Sequence, residues 1–167
     1  MGGVMMNRQL PLQAEALIRD VPHLIANLAN LSALIWEETE DLNWAGFYLM
    51  QGGTLVLGPF QGRPACIEIN VGKGVCGTAV KEDRTLCVKD VHSFAGHIAC
   101  DSASNSELVV PVHAKGKVVG VLDLDSPSIA RFGGEIQQIM EELVRVMEKE
   151  METQLTALVD GKTSFAL

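Results

Sequence analysis

The segment Glu107-Leu108-Val109-Val110-Pro111-Val112-His113-Ala114-Lys115-Gly116-Lys117-Val118-Val119-Gly120-Val121-Leu122-Asp123-Leu124 holds two aliphatic, largely β-branched runs joined at Lys115-Gly116. Two such runs around a tight, glycine-containing turn predict strands over 107–114 and 117–124 with antiparallel pairing. Upstream, short β-branched and aromatic runs punctuated by glycine predict further strands over 44–50, 54–57, 65–69 and 86–88. The flanks change period. Leu24, Ile25, Leu28, Leu31, Leu34 and Ile35 follow a helical stripe that opens just after Pro22, which predicts a helix over 22–39. Ile136, Ile139, Met140, Leu143, Val146, Met147 and Met151 form a second stripe, a long helix after Gly133-Gly134. A short helix opens near Gly74 and ends before Asp83. The expected architecture is α+β: a largely antiparallel central sheet with N- and C-terminal helices packed against it, one domain over residues 12–158.

The 167 residues are 47% hydrophobic and 20% charged, ordinary globular composition, with no internal repeat or low-complexity tract. Lys and Arg number 13 against 21 Asp and Glu, a net charge of −8, which is the wrong sign for nucleic-acid phosphates or an anionic membrane surface. No apolar run approaches the roughly 18 residues that span a bilayer. The opening Met1-Gly2-Gly3-Val4-Met5-Met6 lacks a signal peptide's apolar core, so the cytoplasm is the expected location.

Four cysteines stand in a chain large enough to stabilise itself by burial without staples. Cys66 in Ala65-Cys66-Ile67-Glu68-Ile69 and Cys87 in Leu86-Cys87-Val88 have the local setting of buried, inert thiols. Cys76, in Gly72-Lys73-Gly74-Val75-Cys76-Gly77, sits near a helix start and three residues after Lys73; both features favour a thiolate, while the glycines suit close helix-to-sheet packing equally well. Cys100 differs. It lies in the aperiodic segment 92–106 and precedes Asp101-Ser102-Ala103-Ser104-Asn105, a polar setting in which a thiol is accessible and hence reactive. A zinc set of Cys87, His92, His97 and Cys100 has spacers of four, four and two residues, which match no standard pattern. Gly72-x-Gly74-x-x-Gly77 has the spacing of a dinucleotide fingerprint but no βαβ unit around it, and a turn with tight packing accounts for the glycines.

Asp123 and Asp125 are two apart on a strand, so both leave the same face of the sheet. Like charges that close raise each other's pKa, which makes the pair a pocket for a cationic group, a proton source or simply a solvated strand end. Glu107 begins the neighbouring strand and can face the same pocket. Trp44 and Tyr48, spaced i, i+4 on a strand, also share a face; they suit either the core or an apolar slot.

The motifs Asn43-Trp44-Ala45-Gly46-Phe47-Tyr48-Leu49, Leu55-Val56-Leu57-Gly58-Pro59-Phe60-Gln61-Gly62, Gly72-Lys73-Gly74-Val75-Cys76-Gly77-Thr78-Ala79, Gly96-His97-Ile98-Ala99-Cys100-Asp101 and Gly120-Val121-Leu122-Asp123-Leu124-Asp125-Ser126, in this order, resemble the free methionine-(R)-sulfoxide reductases, which are single GAF-like domains. The resemblance runs over residues 28–132 and includes the family's three cysteine positions. It implies that Cys100 attacks the sulfoxide sulfur, leaving a sulfenic acid as methionine departs. Cys66 is then the resolving thiol, forming a disulfide with Cys100 that thioredoxin reduces, with NADPH acting indirectly through thioredoxin reductase and no cofactor bound. Cys76 matches a secondary resolver. Trp44 and Tyr48 match pocket positions, with the indole receiving the substrate methyl group. Glu107, Asp123 and Asp125 match acids that orient the substrate and its oxygen, without a division of roles among the three. Cys87 matches none of the family cysteines and is read as packing. Family members are often dimers, so the resemblance implies a homodimer.

The chemistry is coherent with these roles. A sulfoxide oxygen leaves only once protonated, so an acid must stand beside the attacking thiolate. An acidic pocket selects the ammonium group of a free amino acid, and a second thiol must reach the sulfenic acid before further oxidation does. Two rival readings are a sensory GAF module that binds a small ligand without catalysis, and a zinc-stabilised interaction domain. A sensor needs an attached output domain and has no evident use for Cys66, Cys76 and Cys100; metal analysis separates the zinc reading.

Overall fold

The computed structural model describes residues 7–98, 100 and 102–162; Ala99 and Asp101 of the cysteine-loop motif lie outside the described residues. The elements follow the order α1 (Leu10–Ile18), α2 (Leu24–Glu38), β1 (Trp44–Gln51), β2 (Thr54–Gly62), β3 (Glu68–Asn70), α3 (Gly74–Glu82), β4 (Leu86–Val88), β5 (Ser106–Ala114), β6 (Lys117–Ser126), α4 (Gly134–Glu150) and α5 (Glu152–Val159). The strands form one antiparallel sheet in the order β3-β2-β1-β6-β5-β4. Lys115 and Gly116 both take positive φ, 50° and 71°, the turn that matches the right-handed twist of a hairpin.

Alternation along the strands separates two cores. Ala45, Phe47, Leu49, Leu108, Val110, Leu122 and Leu124 point to one face and pack under α1, α2, α4 and α5. Trp44, Tyr48, Val109 and Val121 point to the other, where α3 covers part of the sheet with Val75, Cys76 and Ala79. The second face carries the polar residues discussed below. Gly77 lets α3 start hard against the preceding turn, because a Cβ there would run into the Asn70 carbonyl oxygen.

Four sequence expectations change. The first helix, α1, was not anticipated; it is short, but Leu10, Ala14 and Ile18 at i, i+4 spacing and Pro11 in its first turn mark it in hindsight. The expected strand 65–69 is instead the three-residue β3, and Cys66 falls in an irregular segment before it. β2 correspondingly runs on to Gly62, because a register shift opposite Phe47 absorbs Gly58 and Pro59, the second of which has no N–H for the ladder. The C-terminal stripe also divides: α4 ends at Glu150, Met151 bends (φ −109°, ψ 20°), and α5 follows, with Met151 and Leu155 both fully buried.

His113 ties three elements together away from the second face. Its ring nitrogens meet Asp83 Oδ1 at 2.6 Å and Glu148 Oε1 at 3.1 Å. Burial disfavours its charge, but the two carboxylates outweigh burial and raise its pKa above 6.5. The stabilisation is therefore complete below the unfolded-state value near 6.5 and fades as pH rises through the higher folded value. Thermal unfolding measured against pH should show this decline, and His113→Gln should flatten it. Gly46 stands opposite Phe60, and a Cβ there would collide with the Phe60 Cβ. Gly46→Ala should lower stability by about 1–3 kcal/mol in denaturant titration.

Candidate active site

Register brings the acids together. Glu107 on β5 pairs with Asp125 on β6, and Val109 pairs with Asp123, so all three carboxyl groups leave the second face at one end of the hairpin. β1 lies on the other side of β6, pairing Trp44 with Asp125 and Gly46 with Asp123. Helix α3 lowers Cys76 onto this cluster, where its Sγ donates to Glu107 Oε1 at 3.8 Å. Glu107 and Asp123 are each 6% exposed and Cys76 3%.

Such burial keeps protons on. Burial, followed by the charges of Asp123 and Asp125, pushes Glu107 well above the usual carboxylate range. Burial raises Asp123 to about 6, against hydrogen-bonding to Cys76 and Glu107 that lowers it. Cys76 is likewise pushed well up, first by burial and then by Asp123, Glu107 and Asp125. The thiolate-favouring reading of Cys76 from Lys73 and the helix start is thus reversed, since desolvation and three nearby acids outweigh both. Asp123 Oδ1 is buried without a hydrogen-bond partner. A thiol and carboxyl oxygens of Cys76, Glu107 and Asp123 lie within 4.8 Å of one another, the one group among the described residues close enough to share a cation.

Beside the acids, Trp44 stacks between Tyr48 (5.8 Å between centroids) and Phe60 (5.1 Å). The fourth wall is a Cys66–Cys100 disulfide, with the Cα atoms 5.4 Å apart across 34 residues of sequence. Together these groups line a cleft of about 500 Å³, counting its open mouth. Cys100, Cys76, Trp44, Tyr48, Glu107, Asp123 and Asp125 all line it, and Cys66 bounds it through the disulfide. Cys87 is elsewhere, donating to the Phe132 carbonyl at 3.1 Å against the helix-covered core. The zinc set is not assembled, because the Cys100 sulfur is bonded to Cys66 and Cys87 faces away.

The sequence reading missed two participants. His97, in the cysteine loop, places Nε2 4.0 Å from Glu107 Oε2 and is itself mostly buried. Burial and His92 hold its pKa below the ordinary value. The sequence offered it only as a zinc-ligand candidate and as part of the Gly96-His97-Ile98 motif. Phe60 was likewise quoted in a motif, and the glycine opposite it, Gly46, was the available signal for a bulky partner.

The sheet carries α1, α2, α4 and α5 on one face and α3 beside the cleft on the other, and the sequence model of the GAF domain matches residues 14–151. The chain is 52% identical over 138 residues to the free methionine-R-sulfoxide reductase of Escherichia coli (strain K12), covering 83% of this chain and 84% of that protein. It superposes on the reduced form of fRMsr of Staphylococcus aureus with a TM-score of 0.87 at 49% identity, covering 90% and 99% of the two chains. The free methionine-R-sulfoxide reductase from Neisseria meningitidis in complex with its substrate gives 0.86 at 38% identity, over 94% and 99%. The chain belongs to the free methionine-R-sulfoxide reductase family of GAF-domain oxidoreductases. No helix among the described residues is long and apolar enough to cross a membrane.

The thiol arrangement is directly measurable. After mild oxidation and denaturation, two thiols should titrate, Cys76 and Cys87, and four after reduction. In the folded oxidised protein, iodoacetamide should label half-buried Cys87 before Cys76; the reverse order would contradict the burial of Cys76.

Proposed function

We propose that this protein reduces free L-methionine-(R)-sulfoxide to methionine, with Cys100 as nucleophile, Cys66 as resolving thiol and thioredoxin as the external reductant. The observation that carries the reading is the Cys66–Cys100 disulfide on the same cleft as the buried acid cluster. The Cys100 thiolate attacks the sulfoxide sulfur while Glu107, pushed well above the usual carboxylate range by burial, gives its proton to the sulfoxide oxygen. The hydroxyl then passes from the substrate sulfur to the Cys100 sulfur as the new sulfur–sulfur bond breaks, leaving methionine and a Cys100 sulfenic acid. Cys66 then attacks that sulfur; the disulfide forms and the oxygen leaves as water. The sum is one sulfoxide and two thiols giving one methionine, one disulfide and one water. Thioredoxin's dithiol restores both thiols by exchange.

Asp123 and Asp125 supply negative charge for the substrate ammonium group, which a peptide-bound residue lacks. The Trp44 face, flanked by Tyr48, receives the methyl group.

The decisive assay couples thioredoxin, its reductase and NADPH to the (R) sulfoxide, the (S) epimer and a blocked peptide. Oxidation of NADPH is expected with the free (R) epimer alone; equal turnover of the peptide would overturn the reading. Cys100→Ser should abolish turnover. Cys66→Ser should release about one methionine per enzyme and then stall. Glu107→Gln should slow the first turnover by about 10² or more, the usual worth of a positioned acid. Because that acid must hold its proton, the first-step rate should fall as pH rises through Glu107's raised range.

A further inference from the structure

Cys66 sits in a stretch without regular backbone pairing, packed with Ala65 against the second core. Residues 63–67 belong to no strand or helix and are mostly exposed, Pro64 has no N–H, and the backbone bond from Leu57 N–H to the Ile67 carbonyl is at the far end. Two buried aromatic side chains reach it instead. The Tyr48 hydroxyl donates to the Cys66 carbonyl at 2.9 Å, and the Trp44 indole N–H donates to the Arg63 carbonyl at 3.2 Å. Both donors come from β1, the strand next to the acid-bearing β6, and both rings are 2% exposed and stacked on each other. Tyr48 is therefore fixed to the sheet by its ring and to the irregular segment by its oxygen. Burial and the nearby Asp123, Cys76, Asp125 and Glu107 raise its pKa, so the phenol remains a donor across the working pH range.

We infer that Tyr48 is a positioning residue for the redox pair: its hydroxyl holds the main chain at Cys66 so that this thiol stays within bonding reach of Cys100, a role separate from any contact of its ring with substrate. The inference deepens the reading of Cys66 as resolving thiol. In that step the Cys66 thiolate attacks the Cys100 sulfenic sulfur, the disulfide forms, and hydroxide leaves to be protonated to water. Holding Cys66 in place lowers the entropy lost on closing the bond.

The test is the thiol–disulfide equilibrium of the reduced protein in glutathione buffers of graded ratio, quenched and read by mass spectrometry. Tyr48→Phe keeps the ring and its stack but removes the bond. Its midpoint should shift so that closure needs about fivefold more oxidising buffer, the population change worth one net hydrogen bond. Trp44→Phe, which removes the second anchor, should shift in the same direction and carries the test if Tyr48→Phe fails to fold. Midpoints unchanged in the folded variants would overturn the inference, because a side chain that only lines the cleft alters KM and leaves this equilibrium alone. The measurement contains no substrate. A shifted midpoint with no methionine released by the reduced parent would thus leave the positioning role standing and remove the proposed activity.

Discussion

Three carboxyl groups and a thiol crowd one end of the β5–β6 hairpin, and most of what surrounds them can be understood as keeping them there. Ionising both Glu107 and Asp123 in so dry a place is disfavoured, so burial pushes Glu107 well above the usual carboxylate range and Asp123 up to about 6. A flexible scaffold would relieve the strain by turning the acids to water. The antiparallel ladder prevents this: Glu107 faces Asp125 and Gly46 faces Asp123 in fixed register, and slipping one residue would send all the acids into the apolar face under α2 and α4. Dense packing on that opposite face, with Leu108, Leu122 and Leu124 fully buried, makes such a slip prohibitive. The stability of one side of the sheet thus sustains an unfavourable charge arrangement on the other.

The aromatic wall serves the same end by different means. Trp44 and Tyr48 project from the central strand β1, so their rings inherit the sheet's rigidity. Phe60 completes the stack from β2, made possible by a glycine at position 46. The polar tips of both donors point outward from this apolar block to the chain around Cys66. Trp44 and Tyr48 therefore both line the cleft and anchor an irregular segment.

How much of this the sequence discloses depends on range. The hairpin was legible because alternation and a glycine turn are local signals, and with it came the shared face of Asp123 and Asp125. Helix α2 was legible from its stripe and its proline. Cys66 was not, for a local reading places it in a strand as an inert thiol, and only the path of β2 past Pro59 shows that the strand has shifted away from it. The Cys66–Cys100 pairing entered through family resemblance, since a contact across 34 residues leaves no trace in spacing. The protonation of Cys76 stayed open between a thiolate and a packed thiol for a related reason: Lys73 and the helix start are neighbours in sequence, whereas the burial that raises its pKa, and the acids that add to it, come from packing against strands far along the chain.

The raised pKa of Cys76 bears on how the three cleft thiols divide their work. A sulfenic acid is captured by a thiol with thiolate character, and Cys76 is the least suited, because deprotonating it would place a further negative charge among Glu107, Asp123 and Asp125 in a buried site. Cys66 lies in a mostly exposed segment outside that cluster and is the thiol bonded to Cys100. If the acids were required only to bind an ammonium group, a half-exposed cluster would suffice and Cys76 would ionise more readily. The burial of Glu107 and Asp123 suits the retention of a transferable proton, and the same burial withholds Cys76 from resolution. In the proposed cycle, proton donation and the choice of resolving thiol are consequences of one desolvated cluster.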